Sequence, residues 1–328
     1  MEPILSLDRA EVFFDGIFSE PRLRHPEGIA VDASGNIWCG GETGEIYRLS
    51  ADGSGIERVA STGGFILGLA FDDDQNLYAC DMRHSVVFRL DTRTGRLVHF
   101  ANGGGGNEMR IPNFPVIDGS RNCLYVSDSY APTEKGPGVW RFDLESGEGG
   151  LWYDRAMTFA NGMALSPDKD YLYVAESFAG RVMRIPIDEN GSPEEGELFV
   201  EGLERVPDGL AFDATGNLYI ACYEPSRMYR VSPEREIHLF IDDPVAHTLC
   251  HPTNCAFRGE ELFYIQPRPV AHNADRSLSK SAESPRYLDQ RRVSGPFSPN
   301  RGSDFGKGTL RMFSKTSGRS PSSPVRRS

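Results

Sequence analysis

The sequence predicts an all-β fold, a six-bladed β-propeller, and a repeated motif carries this prediction. The segment Gly-Ile-Ala-Val-Asp-Ala-Ser-Gly-Asn-Ile-Trp at 28–38 returns, with variation, five more times along the chain. The aromatic residue that ends each copy recurs at intervals of 40 to 48 residues: Trp38, Tyr78, Tyr125, Tyr173, Tyr219 and Tyr264. A repeat of this length, with alternating apolar residues and no helical periodicity, is typical of propeller blades.

Each repeat predicts four antiparallel strands. The first strand leads through an Asp, Gly or Asn turn into a second strand that ends in small residues. The third strand alternates apolar residues around an arginine, as at 87–90 and 139–142, and the fourth is shorter, as at 97–100. Residues 11–16 are similar to such a fourth strand, so we expect the N-terminal strand to pair with the sixth blade and close the ring.

The repeat pattern stops at Gln266, which divides the chain into a propeller (1–266) and a tail (267–328). The tail is rich in Ser, Pro, Arg and Gly, a composition that predicts disorder. The sixth blade is therefore expected to be incomplete, without its third strand. Two interpretations remain open for this tail: a natural disordered segment, or the product of a reading-frame shift.

Charge and composition narrow the classes of partner. The tail carries a net charge of +9, which leaves −21 on residues 1–266 of a chain whose total is −12. Such an acidic body argues against nucleic acid and anionic membranes as partners. The six cysteines form no C-x-x-C pair and are expected to be buried free thiols. Without a signal peptide or an apolar span, the expected location is cytoplasmic, for a monomer or weak homo-oligomer.

A polar residue precedes the first strand in several repeats. The frames are His-Pro-Glu27-Gly, Phe-Ala-Asn161-Gly and Val-Pro-Asp208-Gly, with Ile-Pro-Asn113-Phe as a weaker copy. Because the innermost strands of a propeller line its channel, equivalent positions converge on one ring. Two carboxylates and an amide oxygen facing inward need a cation between them, and such ligands suit Ca²⁺, Mg²⁺ or Mn²⁺, with Zn²⁺ tolerated.

The competing interpretation of each such residue is a turn residue, since Asn, Asp or Glu before Gly at a strand start is common. Three residues at the same blade position are harder to explain by turns alone. Glu176, at the end of a second strand near the channel, is a candidate substrate contact or a surface turn residue.

These residues lie in motifs that resemble the SMP-30/gluconolactonase/luciferin-regenerating (regucalcin-like) family. The resemblance covers residues 8–266 and rests on the three frames above together with the segments 172–176 and 251–257. It implies that Glu27, Asn161 and Asp208 bind one divalent metal ion and that Asn113 contacts the substrate or the metal. The chain departs from the family pattern at Asn113-Phe-Pro, where an Asn-Asp pair is more usual.

The resemblance implies a hydrolase that acts on carboxylic ester bonds and opens a small-molecule sugar lactone. Asp208 would be the general base as well as a ligand, because a carboxylate beside the metal can reach the attacking water. Two alternatives remain: a metal-dependent phosphotriesterase and a non-catalytic calcium-binding propeller.

The frame-shift hypothesis makes a testable prediction about the gene. Advancing the frame by one base at Ile265 can encode Ser-Asn-Leu-Gly-Arg-Trp-His-Ile-Thr-Arg-Ile-Glu, which supplies a third strand with its arginine. Sequencing the gene is expected to show this alternative frame downstream. A single frame with no such strand would contradict the hypothesis.

Overall fold

The computed structural model describes residues 1–16, 18–204, 206–266, 289–294 and 309–311. These residues form β-strands joined by turns, with three short 3₁₀ turns at Leu7–Arg9, Gly119–Arg121 and Ser177–Ala179. Within these residues no helix is long and apolar enough to cross a lipid bilayer.

Five four-stranded antiparallel sheets follow one another along the chain, each formed by four consecutive strands. The first two sheets consist of β2 (Ile29–Val31), β3 (Ile37–Gly40), β4 (Glu45–Leu49) and β5 (Ile56–Ser61), and of β6 (Ile66–Phe71), β7 (Asn76–Asp81), β8 (Val86–Asp91) and β9 (Arg96–Ala101). A two-stranded hairpin follows them, formed by β10 (Gly103–Gly104) and β11 (Asn107–Glu108).

The next three sheets have the same order of strands. They consist of β12 (Pro112–Asp118), β13 (Cys123–Asp128), β14 (Gly136–Asp143) and β15 (Gly149–Met157); of β16 (Ala160–Leu165), β17 (Tyr171–Glu176), β18 (Arg181–Pro186) and β19 (Glu197–Val200); and of β20 (Pro207–Phe212), β21 (Leu218–Cys222), β22 (Arg227–Val231) and β23 (Ile237–Asp242). The predicted all-β propeller is confirmed.

The sixth repeat differs from the other five. Its β24 (Asn254–Arg258) and β25 (Glu261–Gln266) join β26 (Asp289–Ser294) and the N-terminal β1 (Glu11–Phe14) in the order β1-β26-β25-β24, and β27 (Thr309–Arg311) also pairs with β26. The blade count therefore departs from six equal blades: five are continuous four-stranded sheets, and this last sheet is assembled from both ends of the chain.

The expectation that the sixth blade lacks a third strand is corrected. Asp289–Ser294 pairs with β25 on one side and β1 on the other, which is the third-strand position. A propensity argument missed this strand because antiparallel pairing partners can supply order that local composition does not predict. The predicted disorder and frame shift otherwise concern residues 267–288, 295–308 and 312–328, which lie outside the described residues.

Apolar side chains fill the space between neighbouring sheets. One cluster contains Leu172 and Val174 of β17 with Tyr125 of β13 and so joins the third and fourth sheets. Equivalent clusters join the remaining pairs of sheets that follow one another along the chain. The last sheet packs against the first in the same way, through Phe263 and Ile265. The six cysteines are all buried and free, as predicted.

The first strands of the sheets contact one another in cyclic order around the axis: β2, β6, β12, β16, β20, β24 and again β2. The approach is close. A Cβ on Gly162 would lie 2.2 Å from the carbonyl oxygen of Asp208 and 2.6 Å from the Cα of Gly209. Glycine at this position therefore permits the innermost strands to meet.

Replacing this glycine tests the crowding at the axis. We expect Gly162→Ala to lower the free energy of unfolding by roughly 1–3 kcal/mol, because the opposing atoms are backbone and cannot move aside. Gly150→Ala on β15 is the matched control, since its Cβ would meet nothing nearer than 3.7 Å. Denaturant titration of both variants measures the difference, and equal stabilities would contradict the packing argument.

Candidate active site

The structure brings the three predicted metal ligands to one region of the axis. Asn161 lies in β16, Asp208 lies in β20, and Glu27 lies two residues before β2. Burial and the negative charge of Glu27 raise the pKa of Asp208 well above its ordinary value, and the side chain of Asn161 acts in the opposite direction. Because the charge of Glu27 and a hydrogen bond from Asn161 both act on Asp208, the three side chains are neighbours, although they come from three different blades.

A histidine holds the carboxylate of Glu27. The ring atom Nε2 of His25 lies 2.6 Å from Oε1 of Glu27, and both side chains are largely buried. The hydroxyl of Thr253 donates to the backbone carbonyl of Glu27 at 2.9 Å and so ties the first blade to the last. Glu27 is thereby fixed in position from two directions.

Two serines orient the predicted asparagines. Nδ2 of Asn161 donates to Oγ of Ser177 at 3.0 Å, and Ser177 in turn donates to the carbonyl of Pro207 at 2.7 Å. Because the serine proton is used on that carbonyl, its oxygen accepts from the nitrogen side of the amide. Oδ1 of Asn161 is therefore free to act as a ligand.

The same relay is present one blade earlier. Nδ2 of Asn113 donates to Oγ of Ser129 at 2.9 Å, and Ser129 donates to the carbonyl of Ala160 at 2.7 Å. Asn113 is 7% exposed, so its fixed amide oxygen lies in a largely enclosed site. Both relays link a candidate site residue to the next blade, a role that the sequence did not reveal.

Left-handed backbone recurs two residues before each candidate ligand. The φ angles are 41° at His25, 57° at Phe159 and 55° at Val206. Non-glycine residues rarely adopt this region, and such strain concentrates at functional sites. The sequence could not reveal this feature, because His, Phe and Val share no property that predicts a positive φ.

The structure gives Glu176 a framework role. Its Oε2 accepts from the backbone N–H of Thr158 at 2.8 Å, and its Oε1 accepts from Arg181 at 2.8 and 3.0 Å. The residue is only 1% exposed. Because both carboxylate oxygens are engaged inside the protein, these contacts agree neither with the predicted substrate contact nor with a surface turn residue.

Two other blades carry an equivalent carboxylate at the end of the second strand. Asp128 accepts from the N–H groups of Arg110 and Ile111, and Asp81 accepts from that of Phe65. Each carboxylate fastens the segment that leads into the first strand of its own blade. These residues share one repeat position, since Asp81, Asp128 and Glu176 each follow the landmark aromatic residue by three positions, but this spacing does not show what they bind.

Comparison with known proteins agrees with this architecture. The sequence profile of the SMP-30/Gluconolactonase/LRE-like region matches residues 43–265. The chain belongs to this family. A second profile, the N-terminal part of strictosidine synthase-like proteins, matches residues 18–49, which include Glu27.

Individual members of the family are moderately similar to this chain. A 6-deoxy-6-sulfogluconolactonase of Pseudomonas putida is 35% identical over 131 residues, which are 38% of this chain and 42% of the relative. The adipocyte plasma membrane-associated protein Hemomucin of Drosophila melanogaster is 42% identical over 245 residues, 66% of this chain and 41% of the relative. The chain thus spans about half the length of the curated relatives that it matches.

A solved structure shows the same fold. Regucalcin of Agrobacterium tumefaciens, a calcium-binding protein, superposes with a TM-score of 0.63 at 20% identity. The superposition covers 84% of this chain and 90% of regucalcin.

The site residues of this family member suit a hard divalent cation. Glu27, Asn161 and Asp208 offer only oxygen atoms, the donors that Ca²⁺, Mg²⁺ and Mn²⁺ prefer. In the described part of the chain, no group of three or more His, Cys, Asp and Glu residues could hold a metal ion. Burial, and after it the charge of Glu27, raise the pKa of Asp208, and a cation between the two carboxylates would offset both effects.

The framework carboxylates predict how stability depends on pH. Burial raises the pKa of Asp81, but hydrogen bonds from Thr62, Phe65 and His84 outweigh it and hold the pKa below its usual range. A lowered pKa in the folded state stabilises the fold above the unfolded value of about 3.9, and this stabilisation is lost as the pH falls through the folded value.

We therefore expect Asp81→Asn to cost roughly 1–3 kcal/mol at pH 7 and progressively less below pH ~4. Denaturant unfolding over this pH range measures the effect. Asp154→Asn on the exposed part of β15 is the control and should stay within about 0.5 kcal/mol throughout. A deficit for Asp81→Asn that is independent of pH would rule out this role.

Proposed function

We propose that this chain is a metal-dependent hydrolase that opens a sugar lactone, with Glu27, Asn161 and Asp208 as the ligands of one divalent metal ion (Ca²⁺, Mg²⁺, Mn²⁺ or Zn²⁺) at the axis of a six-bladed propeller. One observation carries the proposal: Thr253 accepts from the N–H of Gly209 and donates to the carbonyl of Glu27, so the backbone beside Asp208 and the backbone of Glu27 meet at one residue. Burial and the charge of Glu27 also raise the pKa of Asp208. Paired carboxylates in a partly buried channel are costly without a cation.

Two further observations support the reaction class. The chain belongs to a family named after gluconolactonase, and a relative that is 35% identical over 131 residues is a sugar lactonase. The acidic body favours a neutral substrate over a phosphorylated one. A small-molecule lactone is therefore the proposed partner, with no nucleic acid and no membrane. The cytoplasmic location and the monomeric or weakly oligomeric state remain predictions.

The cation and the site residues have different proposed roles in the reaction. A bound cation would supply Lewis acidity, which polarises an ester carbonyl and lowers the pKa of water. Asp208 is the proposed general base: when ionised beside the cation, its carboxylate would reach the attacking water and accept its proton. Asn113, whose amide is oriented by Ser129, would accept a hydrogen bond from a sugar hydroxyl.

An assay with metal removal and replacement tests this proposal. The assay measures hydrolysis of glucono-δ-lactone and related aldonolactones through the acid that it releases. Hydrolysis is expected to stop in EDTA and to return with added Ca²⁺ or Mn²⁺. Asp208→Ala should lower kcat/KM by about 10²-fold or more, since both a ligand and the base are lost. Asp154→Asn, remote on β15, should retain the wild-type rate.

Each other outcome points to a different function. A lactone rate that is unaffected by EDTA or by Asp208→Ala would refute the proposal. Faster turnover of a paraoxon-type ester than of any lactone would identify a phosphotriesterase. Metal binding without any turnover would leave a non-catalytic calcium-binding propeller.

A further inference from the structure

An amide beside the candidate metal site has an unexplained oxygen. Asn254 is 4% exposed, and its Oδ1 is buried with no hydrogen-bond partner among the described residues. Buried carbonyl-type oxygens nearly always accept a hydrogen bond, because leaving one unpaired costs free energy that an apolar side chain of similar size would avoid. This oxygen therefore requires an explanation.

The position of Asn254 in the fold places this amide at the axis. Asn254 begins β24, the first strand of the last sheet, and follows Thr253 as Gly209 follows Asp208. Its Oδ1 would lie 2.2 Å from a Cβ on Gly209. The absence of a side chain on Gly209 is what admits the amide of Asn254.

The two strands that contact β24 carry or directly follow the two carboxylates of the site. β24 contacts β20, which carries Asp208, and β2, which directly follows Glu27 and Gly28. Two hydrogen bonds fix this arrangement: Gly209 N–H donates to the carbonyl of Thr253 at 2.7 Å, and Thr253 Oγ1 donates to the carbonyl of Glu27 at 2.9 Å. Asn254 thus lies between the two carboxylate-bearing blades, one residue further along the channel.

Simple packing does not account for an acceptor in this place. Between the strand that carries Asp208 and the strand that follows Glu27, a buried electron-rich oxygen gains stabilisation only from a donor or a cation. An amide oxygen is also a hard ligand of the kind that Ca²⁺ takes in proteins.

We propose that Asn254 supplies a fourth protein oxygen to the cation site, through Oδ1 directly or through one water molecule. This inference rests on the cation of the proposed function but not on the lactone chemistry.

Calorimetric titration of the metal-free full-length chain with CaCl₂ tests the inference without an activity assay. Asn254→Leu is expected to weaken Ca²⁺ binding about tenfold or more, since one oxygen is lost. Asn254→Asp is expected to tighten it, because a carboxylate oxygen replaces the amide oxygen. Asn190→Leu and Asn190→Asp, in an exposed turn, are the matched controls and should bind as the wild type does.

Thermal unfolding of the metal-free variants supplies a second, independent measurement. Asn254→Leu should melt at the wild-type temperature or above, because it removes an unpaired buried oxygen. Asn254→Asp should melt lower without metal, because it adds a third carboxylate, and Ca²⁺ should raise its melting temperature more than that of the wild type.

Wild-type Ca²⁺ affinity in folded Asn254→Leu would overturn the inference. Should that variant not fold, unchanged or weaker binding by Asn254→Asp would overturn it instead. If the wild-type chain binds no cation, the inference and the metal site fail together. If it binds Ca²⁺ but opens no lactone, the reaction proposal fails while the binding data still decide the role of Asn254.

Discussion

Two carboxylates, Glu27 and Asp208, lie close to each other at the axis, and their charges repel. Several contacts of the surrounding structure hold these side chains in place despite this repulsion. Burial and then the charge of Glu27 raise the pKa of Asp208, whereas a hydrogen bond from Asn161 favours its ionised form. His25 takes up one oxygen of Glu27 at 2.6 Å. The glycines that follow the candidate ligands let the innermost strands approach closely enough for side chains from distant repeats to meet.

Repeat symmetry made the central part of this arrangement predictable. Equivalent positions in a closed ring of strands must face one axis, so Glu27, Asn161 and Asp208 could be placed together from their frames alone. The same argument failed for Glu176, because a residue near the channel can point along its own blade. There its partners are Thr158 and Arg181, and no spacing in the sequence distinguishes such a clamp from a substrate contact.

The parts that sequence analysis missed depend on pairing between distant segments or on backbone geometry. Asp289–Ser294 joins the last sheet through hydrogen bonds to β25 and β1, and its composition gives little indication of a strand. The left-handed residues His25, Phe159 and Val206 have no common side-chain signature. Both features arise from tertiary constraints, which override local preference.

The serine relays make the separation of the blades part of the site itself. Ser177 binds the amide of Asn161 with one side of its hydroxyl and the backbone beside Asp208 with the other. A single atom, Oγ of Ser177, therefore joins the side chain of Asn161 to the backbone beside Asp208. A motion that separated the fourth and fifth blades would break this bridge, so the geometry of the proposed cation site is coupled to the mechanical integrity of the ring.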